Sequence, residues 1–337
     1  MTGGLSVELH DPWAARPPDG WQKFVDRQGL HAHWDWAFTN ACAVDGRPVV
    51  ACTVQDGHTV RGLLTARLLG PRLGSGTGTR PLAGVLDVTC LYSSAEPGLV
   101  LDDESLTGEA IAEVRRALRR EFGARLRGLL LRQVSAARLP AVLRWPAVVR
   151  EGGPIAVFTN SFGDFDDYLG ALPKKRRHFV RRTLRTIDGA PELTTRFTAR
   201  GDPRGPLPPA RLRALGDSVV ERNHRAWWLR KRFTGAAAMH AALAHDRVEW
   251  LTYHQGEELL AYAQLWQHED LPHLGGWGAE SIHDGGRRDL WFHFIVTTIR
   301  WCVEARRAGI VGGQGTATAK RRLGFDLNRQ WAVLIPQ

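Results

Sequence analysis

The chain has 337 residues, 43% of them apolar and 24% charged, and a formal net charge of +10. That length suits two domains. The composition excludes a disordered chain, and no apolar run reaches the roughly 18 residues of a membrane-spanning helix. The positive balance points to a polyanionic partner such as nucleic acid or a phosphorylated substrate.

The basic residues are nearly all arginine; the lysines are Lys23, Lys174, Lys175, Lys231 and Lys320. Where arginine is the default cation, a lysine marks a place for a compact ammonium. Cys42, Cys52, Cys90 and Cys302 are scattered, with no CxxC pair, and read as reduced thiols rather than zinc ligands. The opening MTGGLSVELHDPW has neither a basic start nor an apolar core. A cytoplasmic protein is therefore expected.

In chain order, LHAHWDW carries an HxH pair, His31 and His33, which would suit a metal on a strand. No third ligand is evident, so a structural role and no metal are expected. Val49–Gly70 reads as two strands around an Asp-Gly turn. The glycine-rich GSGTGTR follows and reads as a surface loop. Next comes an apolar strand, Gly84–Tyr92, containing Asp87, whose carboxylate needs a partner: a ligand amine or an internal arginine. Asp102–Gly123 has acids at its start, arginines near its end and a closing glycine, as a helix should. The run LRGLLLRQV then reads as a strand.

A domain boundary falls near residues 151–160, giving a first domain 1–155 and a second 156–337. The second opens with a basic linking helix, 164–188. In its core, KKRRHFVRRTLR, the apolar Val180, Leu184 and Ile187 recur at helical spacing, while Lys174, His178, Arg181, Arg182 and Arg185 share another face. Its nearest acids are Asp167 and Asp188, too few to neutralise it, and it reads as a phosphate-binding helix. Further on, ERNHRAWWLRKRF interleaves Arg225, Arg230 and Lys231 with Trp227 and Trp228. The tryptophans either stack on unpaired bases or fill the core. Three strands follow in residues 247–281, then a helix Asp289–Gly309 and a short strand GIVGG. Each half thus reads hairpin, strand, helix, strand, an α/β protein with two related domains.

The closing GGQGTATAKRRLGF has the look of a phosphate loop, but Ala319 and Arg321 flank Lys320 where GxxxxGK[ST] requires glycine and a hydroxyl residue. No GxSxG or HExxH motif occurs.

Together, FDDYLGALPKKRRHFVRRTLR, the order of strands and long helix after it, and the terminal KRRLGF resemble the second domain of Fem-type (FemX-like) aminoacyltransferases of the GNAT superfamily. The resemblance covers most of residues 155–330; the first half matches only in rhythm. It implies tandem GNAT-like domains, each a mixed, mostly antiparallel sheet with flanking helices. No segment has the apolar heptads of a coiled-coil arm. It also implies amide-bond formation between an amino acid carried on tRNA and an amine, on a peptidoglycan precursor or a natural-product intermediate, with the first domain on the acceptor side. No cofactor, DNA or membrane insertion is implied. Lys320 would stabilise charge on the ester carbonyl and the departing ribose oxygen. Lys174, Lys175, Arg176, Arg177, Arg181, Arg182, Arg185, Arg225, Arg230, Lys231 and Arg321 would hold tRNA, and Asp87, Trp227, Trp228 and Phe325 would contact substrate. An acyl-CoA N-acyltransferase on the same fold is the alternative, though SIHDGGRRDLW lacks a clean Q/RxxGxG/A loop. A non-enzymatic RNA-binding protein is the third reading.

Overall fold

The computed structural model describes residues 4–70, 72–73, 80–81, 84–198, 207–223 and 235–337. The chain divides into two units, one of Met1–Ile155 with Asn328–Gln337, the other of Ala156–Leu327.

The first unit contains β1 (Ser6–His10), α1 (Trp21–Arg27), α2 (Trp36–Val44), β2 (Val49–Asp56), β3 (Thr59–Leu69), β4 (Arg72–Leu73), β5 (Arg80–Pro81), β6 (Gly84–Val88) and β7 (Leu99–Leu101). After these come α3 (Thr107–Phe122), β8 (Leu126–Val134), α4 (Leu139–Val142) and β9 (Val148–Glu151). The second unit contains β10 (Ile155–Thr159), α5 (Phe165–Ala171), α6 (Lys174–Asp188), β11 (Leu193–Thr198), α7 (Pro209–Asn223), α8 (Ala236–Ala244), β12 (Val248–Gln255) and β13 (Glu258–Trp266). It continues with β14 (His273–Ala279), α9 (Leu290–Glu304), β15 (Gly309–Gly313), α10 (Ala317–Arg321) and β16 (Asp326–Asn328); β17 (Trp331–Pro336) ends the chain.

The first sheet runs β1-β2-β3-β6-β8-β17-β9, with β7 also on β3; β4 and β5 pair apart from it. The β2–β3 hairpin turns at Asp56–Gly57, where Gly57 takes φ 58, the left-handed conformation that glycine adopts without strain. Both faces are covered because side chains alternate along a strand. On β3, Leu63 joins Trp21, Phe24, Trp34 and Trp36, while its neighbour Leu64 joins Val114 and Leu118 of α3. The second sheet runs β11-β12-β13-β14-β15-β10-β16. Its core packs Leu251, Tyr253, Ala263 and Leu265 against Val180 and Leu184 of α6 and Phe294, Ile295 and Ile299 of α9.

Three boundaries differ from the sequence reading. The expected helix 164–188 is two helices, because Leu172 is extended before Pro173, as pre-proline sterics favour. The expected helix Asp289–Gly309 stops at Glu304, and the left-handed residue beyond it is Arg306. Gly309 instead begins β15, where an added Cβ would lie 2.1 Å from the Phe158 carbonyl oxygen. Finally, the expected second domain ran 156–337, while its last strand, residues 331–335, could close the second sheet or cross back to the first. That strand, β17, pairs with β8 and β9 in the first sheet, and Val333 and Ile335 are fully buried in the first unit's core.

Among the described residues the longest helix is α3, 16 residues, and none forms a coiled-coil arm. No helix among them is long and apolar enough to cross a membrane.

Candidate active site

In the second sheet, β14 and β15 are parallel neighbours with one paired position, His273 opposite Val311. Beyond it, Leu274–Ala279 have no ladder partner on β15, so the two strands part and leave a mouth. A β-bulge lies on β14 at this point: the ladder to β13 shifts between Ala263 and Leu265, and Gly275 and Gly276 together face Gln264. The Gly276 N–H donates to Gln264 Oε1 at 2.9 Å, which takes over a bond the ladder no longer makes.

Lys320 sits on the other wall. It lies on α10, which follows a tight turn from β15 with Gly313 at φ 73 and Thr316 at φ 55. Positive φ at a threonine is strained, and such strain clusters at functional turns. Lys320 is 5% exposed and has no carboxylate partner among the described residues. Its Nζ donates to the Gly312 carbonyl and, at 2.7 Å, to the Gly315 carbonyl. An ammonium carries three donors, so a third remains beyond those two carbonyls. Burial pushes its pKa down from 10.5 to about 8.

Two motifs that are far apart in sequence meet beneath this turn. The Tyr168 hydroxyl on α5 donates to the Leu323 carbonyl at 3.1 Å. Phe158 packs against Phe325 at 5.6 Å and against Tyr168 at 5.8 Å. Phe325, expected at substrate, is 2% exposed and within reach of Gly312, where it packs under the Lys320 turn from inside the core. The same expectation covers Asp87. Its buried carboxylate accepts from Arg67 at 3.1 Å and from Arg132, the internal-arginine alternative.

The basic face of α6 is outside. Lys174, Lys175, His178, Arg181, Arg182 and Arg185 are exposed, while Val180, Leu184 and Ile187 are buried. Arg181 lies 3.8 Å from Asp166, but Lys174, Lys175, Arg182 and Arg185 have no carboxylate partner among the described residues. Arg176 and Arg182 stack over Phe179, and Arg177 bonds the Leu172 carbonyl. The first turn holds lysines and arginines and no acid, against the helix dipole, an arrangement that an external anion would relieve. Arg321 is exposed next to Lys320. Arg225, Trp227, Trp228, Arg230 and Lys231 lie outside the described residues.

At the inner end of α6, the Tyr253 hydroxyl bonds His293 Nδ1 at 2.9 Å, and His293 Nε2 meets Asp188 at 2.8 Å. Burial lowers the His293 pKa, Asp188 opposing, and burial raises that of Tyr253. A neutral imidazole, donating from Nε2 and accepting at Nδ1, fits this chain. It ties α6 to β12 and α9.

The first sheet repeats the geometry with its mouth shut. Parallel β6 and β8 pair from Gly84 opposite Leu126 to Val88 opposite Leu131, after which β8 continues without β6 beside it. The chain after β6 fills the gap. Thr89 bridges Pro97, Gly98 lies on the Thr89 backbone, and Gln133 Nε2 donates to the Ser94 carbonyl at 3.1 Å. The cavity remaining there is about 20 Å³, room for one water. His31 and His33 anchor the same segment. His31 caps and His33 lies within a 3-10 turn, Ala32–Trp34, not a strand, and both Nδ1 atoms reach Glu96 Oε1, at 3.0 and 3.1 Å. Burial alone would raise the Glu96 carboxyl; the two imidazoles overcome it and hold it well below the usual range. Among the described residues no cluster of three such side chains could hold a metal. Elsewhere the first unit carries a polar cleft of about 910 Å³, lined among others by Glu8, His10, Asp19, Lys23, Arg27 and His58.

Two buried donors on the β12–β13 pair, one of them on the residue that holds the β14 bulge, went unread in the sequence. Trp250 on β12 is paired with Gln264 on β13, so their side chains share a face. They are 2% and 1% exposed, and among the described residues neither Trp250 Nε1 nor Gln264 Nε2 has a hydrogen-bond partner. Each such buried donor costs about 1–3 kcal/mol.

No protein-family model matches the sequence, and no curated protein matches it. Solved structures do. FemX aligns with a TM-score of 0.59 at 11% identity, covering 97% of this chain and 96% of that one. The C-terminal domain of a candidate lysylphosphatidylglycerol synthetase from Agrobacterium fabrum aligns at 0.59 and 14%, covering 94% and 90%. The L-PGS of Bacillus licheniformis aligns at 0.55 and 10%, covering 82% and 81%. This is the tandem GNAT-like fold. At such identities the likeness speaks for the fold and not for the reaction.

Proposed function

We propose that the chain is an acyltransferase that moves an amino acid from aminoacyl-tRNA to an amine, and that the second unit carries the chemistry. The observation behind this reading is Lys320: a buried ammonium, unpaired by any carboxylate among the described residues and aimed by two carbonyls, beside a parted β14–β15 pair. An aminoacyl ester is already activated. The acceptor amine attacks its carbonyl carbon, negative charge grows on the carbonyl oxygen, and the ribose oxygen then leaves. A fixed ammonium in a water-poor site stabilises both charges, and holding the reactants together supplies much of the remaining acceleration. The exposed bases of α6, with Arg321, contact the tRNA backbone. The first unit, whose own mouth is filled, is the acceptor side in this reading. The name lysylphosphatidylglycerol synthetase describes such a joining of an amino acid to a second molecule, and supports this reading by analogy of fold.

The test is to incubate the protein with tRNAs charged with labelled amino acids and a panel of amines. A labelled amide product that disappears after RNase treatment of the tRNA is expected; product that survives the treatment overturns the tRNA reading.

An acyl-CoA reaction is favoured by one feature. The N-terminus of α9 has no side-chain cap bond and no acid within its first turn, with Gly285 at φ 91 and exposed Arg288 before it, which favours a phosphate group, while the N-cap residue Asp289 opposes one. Protection against heat by CoA and not by tRNA would decide for it.

A further inference from the structure

The paired side chains Trp250 and Gln264 have work to do that the fold does not explain. Buried polar groups in native proteins are nearly always bonded, yet here two N–H donors on adjacent strands go without partners among the described residues. Gln264 is not free to turn away. Its Oε1 is committed to the Gly276 N–H of the bulge, which fixes the amide and aims Nε2 elsewhere. The surroundings are built to hold flat side chains at this spot. A Cβ on Gly275 would fall 2.3 Å from the Trp266 ring nitrogen, and one on Gly278 would fall 2.3 Å from the Tyr262 ring. The strand that parts from β15 has therefore given up its own side chains so that Trp266 and Tyr262, on the face that carries Gln264, can lie against it.

We infer that Trp250 and Gln264 recognise the side chain of the donor amino acid, and that this side chain carries a hydrogen-bond-accepting oxygen, uncharged or anionic. The inference rests on the donor reading given above. Two rigid N–H groups attract an oxygen and repel an ammonium, and Trp250, Thr252, Tyr262, Gln264 and Trp266 bring no carboxylate to balance a cation. The pair thus selects against the lysyl group in the name of the neighbouring fold. Discrimination of this kind is strong because a wrong substrate leaves the buried donors unpaired.

Amide-linked 3′-aminoacylamino-3′-deoxyadenosines, stable mimics of the charged tRNA end, are the probes. They are titrated calorimetrically into the full chain with asparaginyl, glutaminyl, aspartyl, glutamyl, seryl, threonyl, leucyl and lysyl side chains. At least one oxygen-bearing mimic is expected to bind tenfold or more tighter than the leucyl and lysyl ones. Trp250→Phe keeps the ring and removes the N–H, and should cut that preference about tenfold. Gln264→Glu keeps an oxygen for Gly276 and replaces the free donor by an acceptor; it should weaken the oxygen-bearing mimic and strengthen the lysyl one. If Gln264→Glu does not fold, Trp250→Phe carries the test alone. Tightest binding by the leucyl or lysyl mimic, or an unchanged preference in Trp250→Phe, overturns the inference while leaving the donor reading in place. Binding by none of the mimics overturns both.

Discussion

Replacing Lys320 by Met removes the ammonium and keeps most of the volume. Two structural consequences oppose each other. The carbonyls of Gly312 and Gly315 lose their donor, at about 1–3 kcal/mol each if left unpaired. Against this, the folded protein no longer has to bury a charge. The pKa falls from 10.5 to about 8 on folding, and at about 1.4 kcal/mol per unit the charged form is disfavoured by about 3 kcal/mol. The unfolded chain therefore binds more protons between pH 8 and 10.5, so in the native enzyme this residue makes stability rise with pH across that window. In Lys320→Met that rise is absent, and near neutral pH the melting temperature moves by only a few degrees. Activity behaves differently. Loss of one preorganised group that stabilises the developing oxyanion costs about 10²–10³ in kcat. If the ammonium is the active form, single-turnover rates with saturating charged tRNA also fall as pH rises through about 8, and this descending limb is missing in the variant. A Met variant within about threefold of the native rate, or one that keeps the limb, would refute the role given to Lys320.

Other expectations concern the supports of the site. Arg181→Gln with Arg185→Gln should weaken tRNA binding and lower its salt slope by about 0.7–0.9 for each lost phosphate contact, with kcat at saturation unchanged; filter binding across a salt series reads this out. His293→Leu strands the buried Tyr253 hydroxyl and should cost about 1–3 kcal/mol in denaturant unfolding; adding Tyr253→Phe should recover part of it, since both partners are then apolar. Gly309→Ala forces a Cβ to within 2.1 Å of the Phe158 carbonyl, and a loss of about 1–3 kcal/mol is expected by thermal melting.

Local order was legible wherever one segment decides it. The β2–β3 turn at Gly57, the amphipathic face of α6 and the three strands before α9 follow from turn chemistry and periodicity. Lys320 stood out because the chain otherwise uses arginine. What stayed hidden depends on partners distant in sequence. Glu96 lies 63 residues from His33, and no spacing rule links them. Asp87 could be seen to need a partner, but not that Arg67 and Arg132 both supply one. Gln264 and Trp250 looked like ordinary strand residues, and only the strand register shows two donors facing each other. The one faint signal was the glycine-rich β14 sequence, whose missing side chains make sense once Trp266 and Tyr262 are seen against them. Phe325 stood out only as a motif position, and its packing under the Lys320 turn shows only in the fold.

The return of β17 to the first sheet has a consequence for how the molecule is made. This strand lies between β8 and β9, so the first unit lacks an interior strand until the entire second unit has been synthesised. Domains commonly fold in the order they emerge from the ribosome. Here the later unit has all its strands first, and until β17 arrives the facing edges of β8 and β9 are open to mispairing. Clipping the chain after Asn328 should accordingly damage the unit at the opposite end of the sequence and leave the Lys320 turn folded.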